Sequence, residues 1–334
     1  MRDWNRHTNF RMSLTGLVTV LVGLLMGCSD DHDQDAALKN ELKLVSYTRT
    51  SEPFTVGEDF SPAGLFLVED GQATQYSKFV YRRNLWLSSL EVTAAHHYAI
   101  YGYAPADAVT ATLSNESLSG ATLTFSNLPA VSSEDICFVV GVQNYAEENA
   151  EKNIPLGQFA YTGGNFANLL MDHIYASVCF QMSLGEEYAQ LRSVKIRKME
   201  LQTSYSTATA TIVLASNTTG SNPVQSINYG NMEGTEKNAA FFESTEGVEL
   251  TAAAITEATC CFVPNLGNDL TVVTTYDVYD KKGNKVSERT VPNKVPSLNA
   301  TRGQRVKLNL TVAPSYLYQL SDDDLNNPPI RVTN

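Results

Sequence analysis

Charge is scarce in this 334-residue chain: Asp, Glu, Lys and Arg together make up 18% of it. Cations are the scarcer sign, 24 against 36 anions, and the formal net charge is −12. A chain this acidic repels nucleic acid and anionic lipid headgroups, which excludes both as electrostatic partners. Histidine is scarce too, with five in all. His96 and His97 are neighbours, and adjacent strand residues point to opposite faces, so they do not easily share a metal ion. Five cysteines contain no CxxC pair and no Cys/His zinc spacing. Cys260 and Cys261 are adjacent, and a vicinal bridge would be strained. Cys137, Cys179, Cys260 and Cys261 therefore read as buried thiols, small hydrophobes in effect, with a Cys137–Cys179 bridge left open. The sequence has no HExxH, GxSxG, GxxxxGK[ST] or GxGxxG. Asp322-Asp323-Asp324 reads as a solvated turn, because no EF-hand spacing follows. No catalytic, cofactor-binding or metal-binding residue is assigned, and the chain reads as not an enzyme. A paired-carboxylate glycosidase leaves no local signature and stays outside this test.

Long helical periodicity is missing as well; Glu186 to Leu191 reads as at most one helical turn. Period-two alternation dominates after residue 40. Ile174, Ala176, Val178, Phe180, Met182 and Leu184 share one parity, the pattern of a half-buried strand. Val194 and Ile196 share a parity and Met199 and Leu201 take the other, so a β-bulge is expected near Lys198. Val306 to Val312 alternates again. Leu270 to Tyr279 and the run from Val286 flank a Gly-containing turn and predict a hairpin. Further strands are expected at Leu42 to Thr50, Gly64 to Val68, Phe79 to Leu87, Tyr98 to Tyr103, Ala121 to Phe125 and Ile136 to Val142. Asn217 to Gly234 and Pro292 to Gly303 read as exposed loops. Many short strands punctuated by Gly, Pro, Asn, Asp and Ser predict an all-β chain of two antiparallel β-sandwich domains. The boundary is placed near Gly164, giving 41–164 and 165–334.

The N-terminus carries an address. Arg2, Arg6 and Arg11 precede the charge-free stretch Met12 to Met26. That order reads as a secretory signal over 1–27, and the stretch is shorter than the roughly 20 residues a spanning helix needs. Leu24-Leu25-Met26-Gly27-Cys28 looks like a bacterial lipobox. Cys28 is then the lipidation site, carrying palmitate-type acyl chains, and two or more such chains anchor a protein stably. Ser29-Asp30-Asp31-His32-Asp33-Gln34-Asp35 follows, an acidic tether over 28–40. It resembles the surface-export signal of Bacteroidetes lipoproteins and predicts display on the cell outer membrane.

Several stretches resemble one family, the fimbrillins of Bacteroidales (type V pilus subunits and fimbrillin-like lipoproteins). They are Trp86; His97-Tyr98-Ala99-Ile100-Tyr101-Gly102-Tyr103-Ala104-Pro105; Asp135-Ile136; the run from Asn168 through His173 to Phe180; and Tyr316 to Pro328. The resemblance implies transthyretin-like, Greek-key sandwiches and a fimbrial or adhesive role. It implies other fimbrillin subunits as partners in a homo- or heteropolymer, a lipid-anchored outer membrane, no cofactor, and a host or glycan receptor of unknown identity. In the pilins it resembles, the lipidated first strand is removed by proteolysis after an arginine, and the open groove accepts a strand from the next subunit. Arg49 and Thr50 match that processing point, because Leu42 to Thr50 alternates as a strand and Pro53 then breaks it. The C-terminal run with Ile330 and Val332 is the candidate donor strand. The alternative reading is a surface glycan-binding lipoprotein of a polysaccharide-uptake system, with Trp86 and the Tyr98, Tyr101 and Tyr103 group as an aromatic shelf. The bland reading of the same rings is core packing, and of His173 a satisfied strand histidine.

Overall fold

The computed structural model describes residues 41–49, 62–82, 85–93, 96–144, 160–162, 166–215, 223–235, 237–253, 256–264, 270–295, 300–313 and 330–333. All of these belong to the compact unit Asn40–Asn334. The signal segment, the acidic tether, Cys28, Thr50 and the Tyr316 to Pro328 motif lie outside the described residues. No helix among the described residues is long and apolar enough to cross a membrane.

The strands of the first half are β1 (Glu41–Arg49), β2 (Gly64–Glu69), β3 (Gln75–Lys78), β4 (Val80–Arg82), β5 (Leu85–Glu91), β6 (His97–Ala104), β7 (Ala111–Ser117), β8 (Gly120–Pro129), β9 (Val131–Ser132), β10 (Cys137–Asn144), β11 (Ala160–Thr162) and β12 (Phe166–His173). Then come β13 (Ala176–Leu184), α1 (Glu186–Ala189), β14 (Ser193–Thr203), β15 (Thr207–Ala215), β16 (Val224–Glu233), β17 (Lys237–Leu250), β18 (Thr256–Phe262), β19 (Leu270–Tyr279), β20 (Lys285–Val295), β21 (Arg305–Val312) and β22 (Ile330–Thr333). The described residues are almost entirely β, as the period-two pattern requires, and α1 is the single turn expected at Glu186.

Four sheets result. Sheet I runs β3-β2-β6-β10-β12-β1-β5-β4, with β11 also on β6; sheet II runs β16-β15-β8-β7; sheet III runs β22-β21-β13-β18-β9; sheet IV runs β17-β14-β19-β20. Sheets III and IV enclose one core, in which Val178, Phe180 and Met182 meet Ile196, Met199, Tyr276 and Val278. Sheets I and II enclose a second, in which Tyr101, Tyr103 and Phe138 meet Leu123, Phe125 and Ile212. Sheet I has a third core on its other face, built from Leu42, Leu65, Phe79, Trp86, Ile100, Val139 and Leu169. Sheet I curls around that core until Ser77 on β3 accepts hydrogen bonds from Ser89 on β5, at 3.2 Å from N and 3.1 Å from Oγ. The two ends meet through side chains rather than through a backbone ladder.

This curl explains β6. A strand with one wet face alternates, but β6 is buried from Tyr98 to Ala104 because both its faces meet a core. Gly102 is required by the close approach of β2: a Cβ there would run into the Leu65 side chain and the Gly64 carbonyl oxygen. Gly102→Ala is expected to cost about 1–3 kcal/mol, the usual cost of overpacking, read as a lowered urea midpoint with an unchanged slope.

The bulge expected near Lys198 is present: the register of β14 shifts between Ile196 and Lys198 against both β17 and β19. The β19–β20 hairpin is also where expected. Four expectations change. Two pairings are parallel, β1 with β12 and β13 with β21, because successive strands leave for other sheets and return on the same heading. The run expected as one strand from Phe79 to Leu87 is two, β4 and β5, paired antiparallel. Asn217 to Gly234, read as a loop, contains β16. Pro292 to Gly303, read likewise, begins inside β20, an edge strand where the missing proline N–H costs no ladder bond. Sheet II draws β7 and β8 from before residue 164 and β15 and β16 from after it.

Candidate functional site

β1 is the segment whose position stands out. It lies inside sheet I, between β12 and β5, although it is the first described strand of the chain. Its pairing with β12 is parallel and runs from Lys43 opposite Phe166 to Arg49 opposite Met171. Its pairing with β5 is antiparallel and shorter, from Glu41 opposite Glu91 to Leu44 opposite Trp86. Among the described residues, the Ser46 to Arg49 half is therefore laddered on one edge alone. Lys43 and Leu44 are paired on both edges and Glu41 with β5, and the Leu42 carbonyl also accepts a 2.8 Å hydrogen bond from Ser88 Oγ.

Leu42 is completely buried in the core inside the curl. Around it the core offers Trp86 and Leu90 from β5, Ala167 and Leu169 from β12, and Val139 and Val142 from β10. Burying one leucine this way contributes about 1.5–3 kcal/mol. The surroundings of β1 amount to an apolar slot with two backbone ladders as its walls. A slot of that kind accepts any extended segment with an apolar residue at the Leu42 position, since ladder bonds give affinity and alternate side chains give register.

Arg49 is the last residue of β1, at the end laddered only to β12. Ile330 is buried and Val332 lies opposite Leu310, both in β22 at the edge of sheet III. The candidate donor segment is thus paired antiparallel with β21 of its own chain.

The aromatic residues weighed as a sugar shelf are inside. Trp86 is 1% exposed, Tyr98 2%, Tyr101 0% and Tyr103 1%. The Tyr101 hydroxyl donates to the Ser117 carbonyl at 2.8 Å, and burial raises its pKa. The Tyr81 ring lies 5.5 Å from Trp86, centroid to centroid. These rings present no face to a glycan. Cys137, Cys179, Cys260 and Cys261 are all buried and none is in a disulfide, so no Cys137–Cys179 bridge is present.

Sequence reasoning missed the walls of the slot. The alternation of β5 and β12 was visible in part, but nothing local states that β1 separates them. It also missed that Asp135, Cys137 and His173 come together. Their separation in sequence carries no signal; the β10–β12 register, with Cys137 opposite His173, creates the cluster.

No family model matches the chain, and no curated sequence matches it. Solved structures do. The fold is similar to that of a candidate cell adhesion protein from Bacteroides fragilis. The TM-score is 0.50 at 13% identity, over 88% of this chain and 97% of that one. A candidate cell adhesion protein from Bacteroides uniformis follows at 0.43 and 11%, over 88% and 97% of the two chains. A fimbrial protein from Bacteroides vulgatus is at 0.41 and 13%, over 88% and 98%. At these identities the first likeness bears on the fold alone.

Proposed function

We propose that the chain is a fimbrial subunit or fimbrillin-like surface lipoprotein that acts in adhesion and assembles by strand donation. The single observation that carries this is β1: an internal strand of sheet I that follows the N-terminal segment in sequence and ends at Arg49. Release of residues 28–49 by a trypsin-like protease removes the lipid and opens both walls of the slot at once. The unpaired N–H and C=O groups of β12 and β5 then require a new strand. An extended segment of another subunit, such as Pro328 to Asn334 with Ile330 and Val332, supplies it. The role that the Bacteroides fragilis protein bears in its name, cell adhesion, is carried to this chain as part of the proposal.

The proposed role needs no catalytic group and no cofactor. The location is the outer membrane while the lipid stays on, and the fimbrium after processing. We place the two sandwiches at 41–164 and 165–334, with β12, β15 and β16 lent to the first. What supports a boundary in this region is that sheet I takes only β12 from beyond it, while sheets III and IV take only the two-residue β9 from before it.

Cys28→Ala tests the anchor. The variant is expected to take up no clickable fatty acid and to leave the membrane fraction. Mass spectrometry of the N-terminus in purified outer membrane tests the processing: the expected species are acylated Cys28 and a chain beginning at Thr50. An unacylated start at any other residue removes the lipoprotein reading.

A further inference from the structure

We propose that Asp135, Cys137 and His173 form a zinc site that ties β10 to β12 beside the β1 slot. One ligand atom from each lies within 4.8 Å of the others. His173 Nδ1 is 2.6 Å from Asp135 Oδ2 and 3.6 Å from Cys137 Sγ. Cys137 and His173 face each other across the β10–β12 ladder, so the backbone fixes their separation. Asp135 stands two residues before Cys137, in the segment that enters β10.

The geometry separates this site from a nucleophilic triad. In a Cys–His–Asp relay the thiol and the carboxylate use different imidazole nitrogens. Here both reach Nδ1. Convergence of a carboxylate oxygen, an imidazole nitrogen and a sulfur on one point is what a metal ion needs. Tetrahedral zinc, with Zn–N of about 2.0 Å and Zn–S of about 2.3 Å, puts nitrogen and sulfur about 3.5 Å apart. The Nδ1–Sγ distance already matches. The Nδ1–Oδ2 pair must open to about 3.4 Å by the same arithmetic, which a rotation of the Asp135 carboxylate provides.

The donor set selects the ion. Thiolate and imidazole favour zinc over calcium or magnesium, which take oxygen ligands. On binding, the Cys137 thiol gives its proton to solvent and forms the Zn–S bond. His173 enters as the neutral Nε2–H tautomer, leaving its Nδ1 lone pair for the ion, and Asp135 exchanges its hydrogen bond for a Zn–O bond. The two anionic ligands balance the dication. Arg302, at the same end of β12, is committed to other acceptors: Nη1 lies 2.5 Å from Asp172 Oδ2 and 2.8 Å from the His173 carbonyl. The Asp172 carboxylate also accepts from the His173 backbone N–H at 2.8 Å, which fixes the strand end that carries the ring. Cys137 is 1% exposed, whereas the His173 and Asp135 side chains are 12% and 21% exposed. The thiolate is shielded and a fourth position faces water.

The test uses the full chain with Cys28→Ser, so that Cys28 contributes no signal. Cobalt(II) is titrated alone, then displaced by zinc. The expected result is one cobalt per chain with a thiolate-to-cobalt charge-transfer band, lost on adding one equivalent of zinc. Cys137→Ser is expected to abolish the band. Asp135→Asn, which keeps the side-chain shape, is expected to weaken zinc binding by about tenfold or more. Far-ultraviolet circular dichroism of each variant establishes that it is folded, and the titration of the Cys28→Ser parent stands whether or not a further variant folds. No cobalt binding, binding without the band, or a band that persists in Cys137→Ser overturns the assignment. These outcomes are independent of strand donation, since the site is complete within one chain.

Discussion

A chain that begins at Thr50 is expected to form oligomers stable to mild detergent, while the same protein with residues 28–49 intact stays monomeric. The effect is large because β1 is laddered to β12 from Lys43 to Arg49 and to β5 from Glu41 to Leu44. Its loss exposes the edges of β12 and β5 and vacates the Leu42 position in the core of sheet I. Open edges of this kind pair with any available strand. Trp86 supplies the readout. It is the only tryptophan after residue 27, and its backbone lies opposite Leu44 in β1. Its emission is expected to shift to longer wavelength when β1 is removed and to return as oligomers form. Deleting residues 328–334 from the truncated chain identifies the donor. Loss of the oligomers assigns the role to β22; their survival assigns it to another segment. A truncated chain that remains monomeric at high concentration, with Trp86 emission unchanged, removes strand donation through this slot.

Trp86→Ala is expected to destabilise the chain by about 3–5 kcal/mol, the usual cost of removing a large buried ring. The ring is 1% exposed and packs against Tyr81 at a tilt of 55° in the core that Leu42 completes. The measurement is urea denaturation followed by far-ultraviolet circular dichroism, compared at equal slope. An exposed sugar-binding tryptophan would give the opposite pattern: little change in stability and a loss of glycan binding. A change within about 0.5 kcal/mol, typical of surface substitutions, contradicts the burial of this ring.

The β character of the chain was legible wherever one face of a strand is wet. β14 and β21 alternate in sequence and in burial alike. Even the bulge at Lys198 was readable, because a register shift reverses the parity of the buried residues. Legibility failed at two extremes. β16 is an edge strand with mostly exposed side chains, so its Asn- and Gly-containing sequence has little alternation to show. β6 is buried on both faces, so its pattern is a continuous run whose two cores cannot be told apart by periodicity.

The sequence by itself determined the all-β class, the strand period, the bulge and the hairpin turn. Each depends on residues close together along the chain. Only the tertiary structure decided what lies beside what: β1 between β12 and β5, β15 beside β8, and Cys137 opposite His173. Those pairings join residues tens of positions apart. A strand's own pattern states which face is apolar, and it is the burial of that face in a shared core that selects the neighbouring strand.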